Sequence, residues 1–300
     1  MASTPISVTH NGRTSILVCH MGVLSGRHER NSFAAIRECF EAGAARIEID
    51  VHSLKGQDYV VFHDLHFDNE TTGSGAAGKA TPDAVRALRY KADPDARPPL
   101  LSELVDLARG YDTEMQLDWK DLRLMSDARL RALIDTVAPV REKIIVSSPQ
   151  DWNLRRLQAA DPSFPYGFDP GHYLDYAIEG QSVFLPRNLG AYGYRDDHPM
   201  SLGRAEAVGD YLEARMEMLA LQAPAAREYF LAFRLVLQML DDGFNVADWL
   251  HARGIGANVW TPDHHGPESR RWIERLVDAG VDRITTNTAP AWTEAFATGS

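Results

Sequence analysis

Cysteine is scarce: Cys19 and Cys39 are the only two in 300 residues. That excludes a disulfide framework, and two buried thiols in a reducing compartment are the expectation. Basic charge is also short, with 31 Lys+Arg against 42 Asp+Glu and a net charge of −11. A protein that holds nucleic acid across its surface needs the opposite balance, so no nucleic-acid partner is expected. No apolar run approaches the ~18 residues that suit a transmembrane segment. The opening stretch MASTPISVTHNGRTS lacks the basic start and apolar core of a secretory signal, so a cytoplasmic location is expected. No GxGxxG or Walker loop is present, and no internal repeat or low-complexity tract stands out.

What is present is a globular composition, 44% hydrophobic, 24% charged and 9% aromatic, which rules out a disordered or fibrous chain. Apolar runs and turn signals predict strands near residues 16, 46, 114, 143, 165, 182, 256 and 282. Helices are predicted over 126–137, 203–222, 226–240, 246–252 and 268–279. The first 15 residues read as loose polar chain, and 64–99 as loop interrupted by a short helix. Alternating strands and helices imply parallel strands with helical crossovers. Eight such units imply a closed (β/α)8 TIM barrel, with a doubly wound open sheet as the rival. Residues 186–245 exceed one crossover and read as a helical insertion near the sixth βα unit of a single domain spanning 1–300.

Barrel chemistry sits at the C-terminal ends of the strands. His20 ends the first predicted strand, Glu48 and Asp50 the second, and Asp118 and Lys120 the third, while His63-Asp64 closes the segment between the last two. Strand side chains alternate, so Glu48 and Asp50 share a side, as do Asp118 and Lys120. Three carboxylates at one mouth repel unless covered. One divalent cation would cover them, and oxygen-only ligands suit Mg2+ or Ca2+. A charged barrel layer balanced by Lys120 and arginines is the alternative. Two histidines nearby fit a general acid and a general base. His52, two residues past Asp50, is a candidate for supporting that site.

The combined motifs His20-Met21-Gly22, Glu29-Arg30-Asn31-Ser32, Glu48-Ile49-Asp50-Val51, His63-Asp64 and Asp118-Trp119-Lys120 resemble those of the glycerophosphodiester phosphodiesterases. Ser147-Ser148, Val259-Trp260-Thr261 and the stretch from Gly280 to Thr286 extend the similarity to about residues 16–290, with 170–250 poorly matched. The resemblance implies a TIM barrel, one divalent cation, and hydrolysis of a small phosphodiester to an alcohol and a phosphomonoester. It implies that Glu48, Asp50 and Asp118 hold the metal, that His20 and His63 are the acid/base pair, that Lys120 contacts phosphate and that Trp260 walls the alcohol pocket.

Three positions depart from the family pattern. Met21 replaces an Arg that binds phosphate there. The following loop is one residue longer, so that either Glu29 or Arg30 takes the family's Glu position, and an inward Arg30 would restore the lost cation. Asp118 stands in place of a Glu. His-Met and Asp-x-Lys together are similar to sphingomyelinase D-type phospholipases, whereas Thr71-Thr72-Gly73 and the Cys-free loop after His63 are similar to the ordinary phosphodiesterases. Two other functions remain as alternatives. One is a phospholipase D-like lyase that forms a cyclic phosphate from lysolipids, with the apolar run Phe230–Leu240 as its lid. The other is a non-catalytic barrel that binds a phosphoryl ligand. The same apolar run fits packing on the barrel or a homo-oligomer interface.

Overall fold

Two of the central segments alternate strictly. In Arg46–Ser53, Arg46, Glu48 and Asp50 alternate with Ile47, Ile49 and Val51; in Glu114–Trp119, Glu114, Gln116 and Asp118 alternate with Met115, Leu117 and Trp119. Strands of this kind must separate a polar layer from an apolar one. The computed structural model describes residues 6–176, 188–189, 193–202 and 207–297. In it the apolar set joins the main hydrophobic cluster with helix residues such as Ile36, Leu104 and Leu133. The polar set lines the inside of a closed ring.

The ring consists of β1 (Arg13–Cys19), β2 (Arg46–Ser53), β3 (Glu114–Trp119), β4 (Ile144–Ser148), β5 (Tyr166–Phe168), β6 (Glu228–Ala232), β7 (Gly256–Trp260) and β8 (Arg283–Thr286). Each is parallel to the next, and β8 pairs with β1 to close the barrel. Two seams are narrow: β1 meets β2 in the single registered pair Cys19–Ile47, and β5 meets β6 in the single registered pair Phe168–Tyr229, with the Arg227 N–H also donating to the Tyr166 carbonyl oxygen. Gly167 lets β5 approach β6, since a Cβ there would lie 2.3 Å from the Phe230 ring and 2.7 Å from the Glu228 carbonyl oxygen. The TIM barrel expected from the alternation is therefore present, and the open doubly wound sheet is not.

Several boundaries differ from expectation. The opening residues are not all loose: Ser7–His10 pairs antiparallel with β1 across Asn11-Gly12, both at positive φ. An Asn-Gly turn between short strands is a hairpin signal. The sixth barrel strand is Glu228–Ala232, inside the stretch read as one helix over 226–240; the helix proper is Phe233–Asp241. A continuous apolar run such as Tyr229-Phe230-Leu231 has no periodicity to tell a buried strand from a buried helix. The strand expected near 182 lies outside the described residues. The long segment between β5 and β6 also carries a small antiparallel sheet of Leu174–Tyr176, Tyr194–Asp196 and Asn188–Leu189, as well as the helix Val208–Ala220. Buried Asp196 ties these pieces together by accepting hydrogen bonds from Tyr211 and Arg215. The segment 64–99 forms its own small core around Phe62, Phe67, Val85 and Tyr90.

An ionic layer closes the bottom of the barrel. Arg46 forms a bidentate pair with Glu228 at 2.7 and 2.9 Å and reaches Glu114 at 2.7 Å. Arg283 adds a contact to Glu228 at 3.3 Å. Burial opposes the Arg46 charge, but Glu228 and Glu114 outweigh it and hold the guanidinium above its ordinary range. Above this layer Gln116 donates to Ser147 Oγ, and Thr285 donates to Asn258 Oδ1 at 3.0 Å. The site rests on this polar stack.

Candidate active site

Parallel register places the acids. Asp50 is the direct partner of Asp118, and Glu48 of Gln116. Carboxylate oxygens of Glu48, Asp50 and Asp118 all lie within 4.8 Å of one another. Lys120 Nζ stands 2.9 Å from Asp50 Oδ1 and 2.5 Å from Asp118 Oδ2. Despite that proximity, no donor among the described residues is aligned on buried Asp50 Oδ1. Burial first, then Asp50 and Asp118, pushes the Glu48 carboxyl well above its ordinary range. Burial also acts against Asp50, but Lys120, His63 and Asn31 hold its carboxyl below the usual value. For Lys120, burial is outweighed by Asp118, Asp50 and Glu48, which keep the ammonium well above the lysine range. One ammonium thus serves three carboxylates, and burial together with the other two acids disfavours the charged form of Glu48. An unaligned buried oxygen, a reluctant Glu48 and three converging hard oxygens fit a divalent cation.

The loop after β1 serves the same cluster. Met21 has φ 51, which turns its N–H onto Glu48 Oε2 at 2.8 Å. Asn31, also at positive φ, donates Nδ2 to Asp50 Oδ2 at 2.7 Å and accepts the Asp50 N–H. Asn tolerates this backbone region better than most residues. Ser32 then caps the helix Phe33–Glu41 by accepting the Ala35 N–H.

The histidines have different partners. His20 Nδ1 lies 2.8 Å from Asn287 Oδ1. The Asn287 amide nitrogen donates to Asp263 Oδ2 at 2.8 Å. A carboxylate accepts only, so the amide oxygen must face His20, whose Nδ1 therefore carries the proton. His20 Nε2 is left with its lone pair, 3.7 Å from Glu48 Oε2. Burial holds the His20 pKa below 6.5, against the pull of Asn287 and Asp50. His63 Nδ1 pairs instead with Asp64 Oδ1 at 2.9 Å. His52 Nε2 donates to the His63 carbonyl oxygen at 3.1 Å and fixes that loop from below. Trp260 ends β7 at the mouth with 37% exposure.

Arg30 and Glu29 stand in the loop that also carries Asn31. Arg30 is exposed, and its guanidinium pairs with Glu70. The Glu29 carbonyl oxygen accepts the Ser32 N–H. The Arg30 charge also acts on Asp64, the partner of His63. Sequence reasoning did not single out Asn31, Asp263, Asn287 or Asp169 for the site. Asn287 directly follows β8, where strand-end polar residues carry function, and that signal was available.

A closed TIM barrel with converging acids, two histidines and a lysine at its C-terminal mouth has a lining that suits an anionic group beside a cation. The chain belongs to the glycerophosphoryl diester phosphodiesterase family, whose model matches residues 20–169. Glycerophosphodiester phosphodiesterase 1 of Mus musculus is 31% identical over 123 residues, which is 38% of this chain and 36% of the mouse protein. A glycerophosphodiester phosphodiesterase of Caldanaerobacter subterraneus subsp. tengcongensis is 26% identical over 163 residues, covering 51% of this chain and 65% of that protein. The chain thus matches less than two thirds of either relative's length. Among solved structures, an Oleispira antarctica phosphodiesterase in complex with the product sn-glycerol-3-phosphate superposes with a TM-score of 0.64 at 15% identity, covering 97% of each chain. A Parabacteroides distasonis glycerophosphodiester phosphodiesterase gives 0.66 at 16% identity, covering 94% of this chain and 97% of that one. At these identities the structures establish the shared fold.

Proposed function

We propose that this protein is a metal-dependent phosphodiesterase that cleaves glycerophosphodiesters or similar small diesters to an alcohol and a phosphomonoester. The observation that carries the reading is the convergence of Glu48, Asp50 and Asp118 around one lysine, with His20 3.7 Å from Glu48 and His63 acting on Asp50. Glu48, Asp50 and Asp118 would hold Mg2+ or Ca2+. When bound, that cation supplies Lewis-acid stabilisation of charge on the phosphate oxygens. Lys120 adds a second positive charge at the same place.

His20 is the base in this reading, because Asn287 directs the lone pair to Nε2 and burial disfavours the charged ring. His63, with an anionic partner in Asp64, is the acid. The attacking oxygen adds to phosphorus and gives its proton to His20. The P–O bond to the alcohol breaks, and His63 returns a proton to the leaving oxygen. Water as attacker gives the phosphomonoester directly. A hydroxyl of the substrate as attacker gives a cyclic phosphate, as in the lyase alternative, and phosphorus NMR of the product separates the two.

The test is turnover of a panel of glycerophosphodiesters with Mg2+, Ca2+ and EDTA. Turnover should require the cation and fall at least about a thousandfold in Glu48→Gln and His20→Ala. Activity that persists in EDTA and in Glu48→Gln would overturn the proposal. A barrel that only binds would show phosphate-ester affinity without turnover.

A further inference from the structure

A cavity of about 650 Å3 lies at the far end of the barrel from the mouth, where β2, β3, β4 and β8 begin. Five basic side chains line it: Arg46, Arg141, Lys143, Arg227 and Arg283. Arg46 and Arg283 share Glu228 and Glu114, and Arg141 pairs with Asp161. Lys143 and Arg227 have no carboxylate partner among the described residues. Lys143 Nζ donates instead to the neutral Tyr111 carbonyl oxygen. The Arg227 side chain is exposed on a fixed base: its N–H donates to the Tyr166 carbonyl oxygen at 2.8 Å, and its carbonyl oxygen accepts the Gly256 N–H at 2.9 Å. Arg283 stands 3.3 Å from Glu228 and 3.9 Å from Glu114, and its buried Nε has no acceptor among the described residues.

The walls therefore hold surplus positive charge, even with exposed Glu142 among them, in a chain whose net charge is −11. Like charges gathered in a partly enclosed space concentrate a counter-ion there. What the donors lack is an acceptor. A phosphate dianion offers several oxygens to an ammonium and to guanidinium N–H groups at once, and each such bond is strengthened by charge on both sides. No aromatic ring among the described residues lines the cavity, so it gives a nucleobase nothing to stack on. We propose that this cavity is a phosphate site separate from the reaction centre, which takes a dianionic phosphate group between Lys143, Arg227 and Arg283. The group can arrive as inorganic phosphate or as part of a phosphomonoester, and the site does not depend on whether the mouth cleaves diesters.

Calorimetric titration of the full chain in EDTA tests this, with Lys120→Met as the background so that the cation at the mouth contributes nothing. Inorganic phosphate and glycerol 3-phosphate are the probes. At least one of them should bind at one site per chain. Lys143→Gln combined with Arg227→Gln breaks no ion pair described above, and it should weaken this binding at least about tenfold. Arg283→Gln, made separately, should weaken it about threefold or more. With Lys120 intact, the Lys143→Gln/Arg227→Gln protein should keep its kcat/KM for diesters. Affinities of the two probes within about threefold of each other mark a site for the phosphate group alone, and a larger difference assigns the site to the tighter probe; either result supports it. No binding of either probe to the Lys120→Met protein, or an unchanged affinity in the folded Lys143→Gln/Arg227→Gln variant, overturns the proposal.

Discussion

Asp50 and Asp118 face each other on adjacent strands, and a single ammonium, that of Lys120, stands within 2.9 Å of one and 2.5 Å of the other. Lys120 therefore stands among the oxygens that a cation would share. Removing it should help the cation and harm the reaction. Lys120→Met is expected to bind Mg2+ about tenfold more tightly by calorimetry, while kcat/KM falls roughly 100- to 1,000-fold through loss of a charge at the phosphate. Weaker metal binding in this variant would show that Lys120 organises the acids rather than competing for them.

Glu48 makes stability depend on pH. Its carboxyl is raised well above 4.5 in the folded protein, by burial first and by Asp50 and Asp118 next. A carboxyl raised on folding contributes stability below its unfolded value, and that contribution is lost as pH climbs to the raised one. The melting temperature in EDTA should therefore decline with pH above about 4.5. Glu48→Gln should flatten this decline, and saturating Mg2+ should reverse it, because metal binding displaces the proton. Scanning calorimetry across pH with each protein decides the point.

The chain His20–Asn287–Asp263 sets which nitrogen of His20 is free. Asn287→Asp would replace a neutral partner with an anion and raise the His20 pKa. A base must be unprotonated, so the acidic limb of the kcat/KM profile should move to higher pH by about one to three units. Asn287→Ala should lower kcat without moving the limb upward. A profile unchanged in Asn287→Asp would remove His20 from the role of base.

At the opposite end of the barrel, Arg46 is 4% exposed and neutralises Glu228 and Glu114. Arg46→Met would strand buried Glu228 with only the longer contact to Arg283. The expected cost is about 3–5 kcal/mol by urea unfolding. Pairing it with Glu228→Leu should recover much of the loss. Folded Arg46→Met protein should keep its KM, since the ionic layer lies at the other end of the strands.

How far the sequence revealed this arrangement differed by residue. Strict alternation in 46–53 and 114–119 displayed the inner face directly, and the acids followed from it. Lys120 was legible for the same reason. β6 was not, because Tyr229-Phe230-Leu231 is apolar on both faces and carries no period. The pairing of Arg30 with Glu70, forty positions on, could not be read from sequence either. Asn287 and Asp263 escaped because their meaning is relational. Neither is unusual until β8 returns beside β1 and brings Asn287 to His20.

The two single-pair seams cut the ring into half-shells, one of β6, β7, β8 and β1 and the other of β2 through β5. His20, Asp263, Asn287 and Trp260 ride on the first, and Glu48, Asp50, His63, Asp118, Lys120 and Asp169 on the second. The two histidines proposed as base and acid thus belong to different halves of one vessel, and a change of side-chain size at Cys19, Ile47, Phe168 or Tyr229 is a way to shift one half against the other without touching either ring.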